Sequence, residues 1–520
     1  MRRYLSRMFL ALGVTAAFSV PAPSPLYAQA AGPTILHPQL DVRPVVEGLN
    51  LPTSIAFLGP DELLVLEKNS GRVLHVDEGV VQEEAVLDLS VNFNSERGLL
   101  GIALDPNFPD DPGVYLFWTC RSAASLDEDP FTPEEDECSD DPAVMTGLED
   151  SGDVLQVPLL ANRVDRFEWT GSELVFDHNL IKLLAFQNDG APDPSGQGDS
   201  AQPARGNHDG GVIAFGPDGK LYVIVGDVGR RGQLQNLPTG PGPGADDDQF
   251  GGPEPDDAHF TGVILRLNPD GTAPADNPFF EAGDEMGGEV GENVQRIFAY
   301  GIRNSFGMAF DPLSGRLWEQ ENGEDAFDEL NLVDPGMNSG WIQIAGPVER
   351  LAEYKGIETT ALHHEDFPNL QQFRWGPERI ADSPAQALSR LFTLAGSRYS
   401  DPEFSWKHVA PPAAIGFVGS RELGTQFEGD LFVGQALPTS HQSGFLFRFN
   451  LTGNRRKIAV DDPRLEDRVA DNLDFHDLTE SESLLIGEDF GVVTDIETGP
   501  NGNLFVVSLD RGAIYEIFRS

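Results

Sequence analysis

Basic residues are scarce in this chain. Of its 520 residues, 35 are Lys or Arg against 84 Asp or Glu, a formal net charge of −49. Affinity for phosphate backbones comes mainly from Lys and Arg, so this deficit excludes a nucleic-acid binder. Cysteine is rarer still: Cys120 and Cys138 are the only two, which excludes a small disulfide-stapled scaffold. Long apolar runs are missing beyond the first 30 residues, so no later segment reads as a transmembrane helix. Gly and Pro, by contrast, are abundant at 56 and 39 residues, roughly 18% together against a usual ~12%. With 40% hydrophobic residues and 33 Phe, a large core is possible and wholesale disorder is excluded. This combination favours many short strands joined by turns.

The first 30 residues read as an address. Arg2, Arg3 and Arg7 precede an apolar run from Met8 to Val20, and a Pro-rich stretch ends in Ala28-Gln29-Ala30. That is the pattern of an export signal spanning 1–30, and the run is shorter than the ~20 residues a membrane helix needs. A periplasmic or secreted protein is expected. Export places Cys120 and Cys138 in an oxidising compartment, where they are expected to pair. Asp127 to Asp153 holds twelve acidic residues and no basic one, a self-repelling stretch expected to be a solvated loop. A calcium loop is the sharper alternative there, but the spacing matches no known ligand pattern. A second insertion, Pro238 to His259, is rich in Gly, Pro and Asp.

Six segments share one pattern of strand, turn and strand: Ser54 to Leu66, Leu100 to Trp118, Gly211 to Gly226, Gly307 to Glu319, Ala414 to Gly434 and Thr494 to Ser508. Their Pro, Asp, Asn and Gly turns mark each as a β-hairpin. One propeller blade takes about 40 to 50 residues, so the longer gaps between hairpins imply blades with insertions. The expected fold is all-β: a single six-bladed β-propeller over 31–520 with long acidic loop insertions and helix confined to short pieces. The strand near Gly512 to Ile517 is expected to close the ring beside Val42 to Gly48. Two β-sandwiches would not account for six like hairpins.

Polar clusters flank these hairpins. Asn207-His208-Asp209-Gly210-Gly211 precedes the third hairpin and Gly226-Asp227-Val228-Gly229-Arg230 follows it. Tyr300-Gly301-Ile302-Arg303-Asn304 precedes the fourth, and Glu321-Asn322-Gly323-Glu324 follows it. Imidazole titrates near neutrality and suits His208 to act as a base. Arg303 offers a planar fork for a carboxylate, and Asn304 a neutral donor and acceptor. His208 and Arg303 both lie just before their hairpins, so both are expected at the same end of the channel, with Asn304, Asn322 and the Gly323 carbonyl on the same rim. His363-His364-Glu365 lacks a third metal ligand at a set spacing and reads as a surface loop.

These residues carry a resemblance. The stretches LPTSIAFLGPDELLVLEKNSGRVLHV, RGLLGIALDPNFPDDPGVYLFW, NHDGGVIAFGPDGKLYVIVGDVGR, GVILRLNPDGTAPADNPFF and AYGIRNSFGMAFDPLSGRLWEQENGEDAFDELNLVDPGMNSGW resemble the glucose/sorbosone dehydrogenase family. These are soluble quinoprotein sugar dehydrogenases, six-bladed propellers that use pyrroloquinoline quinone (PQQ) and calcium. The resemblance implies oxidation of an aldose or related sugar to its lactone, with an external electron acceptor. It implies that His208 is the catalytic base and Asn207 a substrate contact, and that Arg303, Asn304 and Asn322 hold the cofactor. The carbonyls of Gly323 and Glu324 would ligate calcium, a hard cation suited to oxygen.

The C-terminal third departs from the family pattern. Gly434-Gln435-Ala436-Leu437-Pro438 stands where the family places a Lys, and Val492 and Thr494 where it places two Arg. Lys407 and Arg448 are candidates to replace the missing charge. The departures leave a second reading, a cofactor-free propeller that binds a carbohydrate or a protein partner, and a third, a calcium-dependent hydrolase or lactonase using the same channel.

Overall fold

The structure, a computed structural model, describes residues 32–520 except 90, 94–95, 121–159, 186–207, 229–259, 361–379 and 438–443. The export signal, both acidic insertions, Asn207, Cys138, His363 to Glu365 and Pro438 therefore lie outside the described residues.

Alternation of apolar and polar residues across tight turns gives antiparallel hairpins at all six expected places, with strand pairs Pro52–Gly59 with Glu62–Glu67, Leu99–Leu104 with Gly113–Thr119, Ile213–Phe215 with Leu221–Val225, Gly307–Phe310 with Leu317–Glu321, Pro412–Phe417 with Leu431–Gln435, and Val493–Thr498 with Leu504–Ser508. Each hairpin seeds its own sheet, so the described strands form six sheets. Five of these contain a run of four successive antiparallel strands. The sheet that begins at Pro52 has a fourth antiparallel strand of only two residues, Val80–Val81, and a second two-residue piece, Leu87–Asp88, pairs along the same strand, Arg72–Asp77. The expected six blades are thus five full ones and one sheet cut short at its outer edge, where the polar stretch after Val81 breaks the strand.

The sheets form a β-propeller. The first strand of each hairpin packs against the first strand of the next, and the cycle closes from Val493–Thr498 back to Pro52–Gly59. Backbones come very close along this inner ring. A Cβ at Gly101 would lie 2.1 Å from the Gly211 carbonyl oxygen, so only glycine fits there. Ring closure uses both ends of the chain: Leu40–Glu47 pairs antiparallel with Ala513–Arg519, as expected.

Both faces of each sheet are apolar because each is covered by a neighbour, which produces a separate core between every adjacent pair. Tyr115, Phe117 and Val164 of the second sheet pack on Val223, Val263 and Leu265 of the third. Trp318, Phe404 and Trp406 of the fourth meet Phe447 and Phe449 of the fifth. Helices stay short and peripheral, the longest described being Leu351–Thr360, and none is long and apolar enough to cross a membrane. Leu351–Thr360 and Pro384–Arg390 lie on either side of His363-His364-Glu365, the stretch that reads as a surface loop. They bury Leu351, Tyr354 and Ala387 against Phe327 and Trp341, a tertiary demand that weak local periodicity does not announce.

Candidate functional site at the channel mouth

The loops that enter the third and fourth hairpins converge on Gly226-Asp227, which leaves the third. His208, buried and held at a positive φ of 63°, sets its Nδ1 2.6 Å from Asp227 Oδ1. The other Asp227 oxygen accepts from the Trp341 indole at 2.9 Å. Val228, on the far side of Asp227, also has positive φ, 53°, a costly conformation for a β-branched residue. Strain of this kind persists only where the surroundings over-determine it, and it concentrates at functional sites.

Gly226 is the pivot of the cluster. A Cβ there would lie 2.3 Å from the His208 carbonyl oxygen, 2.8 Å from that of Arg303 and 2.9 Å from Asn304 Oδ1. The Arg303 carbonyl also accepts from the Asp227 amide at 2.7 Å. Four sequence-predicted residues, His208, Arg303, Asn304 and Asn322, are thus joined: Asn322 donates its amide to the Asn304 carbonyl at 2.9 Å, and its own carbonyl accepts from Arg303 Nη1 at 2.9 Å. Glu324 joins them through its side chain, which pairs with Arg303 Nη2. Gly323 sits beside them with its amide on Asp328 Oδ1 at 2.8 Å.

Charge is closely balanced in this cluster. Burial pushes the Asp227 carboxyl up, but the charge and hydrogen bond of His208, together with Arg303 and the Trp341 indole, outweigh it and hold the group below its ordinary value. Burial also works against the Arg303 charge, and Glu324 and Asp227 more than restore it. The Arg303 guanidinium lies 5.5 Å from the Trp341 ring centre, within cation–π range. Asn304 Oδ1 and Asn322 Oδ1 are buried with no hydrogen-bond partner among the described residues. Such an atom costs about 1–3 kcal/mol until something satisfies it.

Glu96 and Lys68 belong to this end of the channel too, and the sequence reading missed them. Glu96 Oε2 accepts the His208 amide at 2.6 Å and the Asn304 side-chain amide at 3.3 Å. Both residues line a cavity of about 200 Å³ together with Thr53, Gly210, Val492 and Thr494. The missed signal was positional: Glu96 precedes the second hairpin as His208 and Arg303 precede theirs, and Lys68 follows the first as Asp227 and Asn322 follow theirs. The two expected substitutes for missing charge are elsewhere. Arg448 pairs with Asp430 and stacks on Phe427, and Lys407 pairs with Asp471. Cys120 is disulfide-bonded; its expected partner, Cys138, is outside the described residues.

Fold and site together define a β-propeller whose inner-strand loops build a polar centre at one end of its channel. The chain belongs to the Glucose / Sorbosone dehydrogenase family, which it matches over residues 49–149 and 198–383. It is 26% identical over 446 residues to the quinoprotein glucose dehydrogenase B of Acinetobacter calcoaceticus, covering 79% of this chain and 77% of that protein. It is 33% identical over 182 residues to the aldose sugar dehydrogenase YliI of Escherichia coli, covering 35% of this chain and 39% of that one. Among solved structures, a Thermus thermophilus oxidoreductase described as a glucose dehydrogenase superposes with a TM-score of 0.55 at 25% identity, covering 92% of this chain and 100% of the other. The PQQ-bound aldose sugar dehydrogenase of Streptomyces coelicolor shares the fold, with a TM-score of 0.52 at 21% identity over 93% of this chain and 99% of its own.

Proposed function

We propose that this protein is an exported quinoprotein that oxidises an aldose or related sugar to its lactone at the channel mouth, with His208 as general base. The observation that carries this reading is the buried His208–Asp227 pair beside Arg303. With Nδ1–H donated to the Asp227 carboxylate, the His208 lone pair is on Nε2, where it can accept the proton of the sugar C1 hydroxyl. Asp227, held ionised, stabilises the imidazolium that results. The same step breaks the C1–H bond, and its hydride leaves with both electrons. Quinone, when bound, supplies the acceptor for that hydride.

The residues present fit such a cofactor. Arg303 keeps its positive charge in the His208 cluster, which suits an anionic group. Leu100, Val212, Ala436, Val492 and Val493 line the neighbouring cavity with aliphatic surface for a planar ring system. Arg303, Asn304 and Asn322 would hold the cofactor, and Asn207 would contact the sugar. Among the described residues no group of three or more His, Cys, Asp or Glu side chains is arranged to hold a metal. For a calcium ion beside the cofactor, the Gly323 and Glu324 carbonyls are proposed as ligands. The matched family regions support the reading on one side of the site, from the first hairpin to Trp341.

Replacing His208 by Gln is expected to lower sugar oxidation by about 10²–10⁴-fold while leaving the spectrum of bound quinone intact. Unchanged turnover would remove His208 from the chemistry. The uncharged Val492 and Thr494, where the family resemblance leads one to expect Arg, are the observation that favours the cofactor-free propeller. Absence of any quinone spectrum after incubation with PQQ and calcium would select that second reading.

A further inference from the structure

The cavity beside the His208 cluster contains the positions, Val492 and Thr494, at which the family resemblance leads one to expect Arg. Neither carries a charge to set against an anion. Lys68 lines the same cavity and is the basic side chain among its lining residues. We infer that Lys68 seats a carboxylate of the anionic cofactor, a task the resemblance gives to the positions of Val492 and Thr494. The inference rests on the proposed quinone chemistry.

Lys68 is built to stay in place. Its amide donates to the Leu51 carbonyl at 3.0 Å and its carbonyl accepts from the Leu99 amide at 3.0 Å. The side chain packs so closely over Gly98 that a Cβ there would lie 2.9 Å from Lys68 Cγ. Its Nζ makes long contacts to the Phe93 carbonyl oxygen, 3.2 Å, and Asn69 Oδ1, 3.3 Å. Burial pulls the ammonium down to about 8, opposed by the charges of Glu96 and Asp209 and reinforced by Arg97. A buried ammonium whose desolvation outweighs the charges around it gains from an arriving carboxylate, because much of its water is already lost before the ion pair forms. Glu96, whose charge does most to hold the Lys68 ammonium up, also accepts from the His208 and Asn304 amides.

A carboxylate in this cavity could belong to the cofactor or to an acidic sugar, and the test separates the two. The full chain, Lys68→Met and Lys68→Arg are titrated with PQQ in the presence of calcium, and binding is followed by absorbance. Thermal melts without quinone show that each variant is folded. Lys68→Met is expected to bind PQQ about ten- to a hundredfold more weakly, and Lys68→Arg to restore affinity to within a few-fold. At saturating PQQ, KM for a neutral aldose is expected to stay unchanged in both variants. If Lys68→Met binds PQQ as tightly as the parent, the inference falls and the sugar-oxidation reading stands. If only the KM for a carboxylate-bearing sugar changes, the seat belongs to substrate and the inference falls. A parent chain that binds no PQQ would overturn both.

Discussion

At the scale of single residues, the site depends on pairs that cannot be separated cheaply. Arg303 and Glu324 are both more than nine-tenths buried and form an ion pair. Removing one partner of a buried pair leaves an uncompensated charge, whereas replacing both with neutral residues of similar volume can be almost neutral. Arg303→Ala is therefore expected to destabilise the fold by about 3–5 kcal/mol. The double change Arg303→Met with Glu324→Gln should recover much of that loss. Urea denaturation of the three proteins checks this, and a double variant as unstable as Arg303→Ala would count against the pair. The residues themselves were legible in sequence because Arg, Asn and His are chemically unmistakable beside a hairpin. Their pairing was not, since Asp227 and Glu324 look like ordinary turn acids until Trp341 and Arg303 are brought against them.

Secondary-structure elements meet at this centre by close backbone approach, and Gly226 shows how tight the tolerance is. A Cβ at this position collides with two main-chain oxygens, which cannot swing aside as a side chain could. Gly226→Ala is expected to cost roughly 1–3 kcal/mol and to lower turnover by displacing the His208 turn. Gly356, inside Leu351–Thr360, is the contrast: a Cβ there meets nothing. Gly356→Ala should gain about 0.5–1 kcal/mol from helix propensity alone. Melting temperature and turnover, measured on both variants, test the pair. Equal behaviour would mean that the inner loops are looser than their spacing indicates. The six hairpins were readable because their turns are local, whereas the broken edge at Val80–Val81 and the two helices packed on Phe327 were not, because their stability comes from distant contacts.

The molecule as a whole carries many acids in its interior as well as on its surface. Burial pushes Asp209 up to about 7, with Glu96 adding to it and Arg97 and Asn162 opposing. Glu319, Glu321 and Glu329 of the fourth sheet are likewise raised by burial and by neighbouring acids. A carboxyl whose folded-state pKa exceeds its unfolded value takes up a proton on folding. Its stabilising contribution is complete below the unfolded value, 3.8 for Asp209, and is lost as pH rises through the folded one. Stability is expected to fall by on the order of a few kcal/mol between about pH 5 and 8, and self-repulsion of a chain with net charge −49 acts in the same direction. Denaturant titrations across that interval test this; a flat or rising profile would show that these acids are ionised in the folded protein.

What the sequence determined by itself was local and repetitive: hairpin turns, strand alternation, ring closure between the chain's two ends, and the chemical types that flank each hairpin. These follow from short-range backbone preferences and from a pattern repeated six times. Only the tertiary structure decided that Glu96 and Lys68 stand at the same channel mouth as His208, that Trp341 braces Asp227, and that Arg448 and Lys407 face other partners. Those juxtapositions join residues far apart in the chain, and only the closed ring of sheets brings them within hydrogen-bond reach.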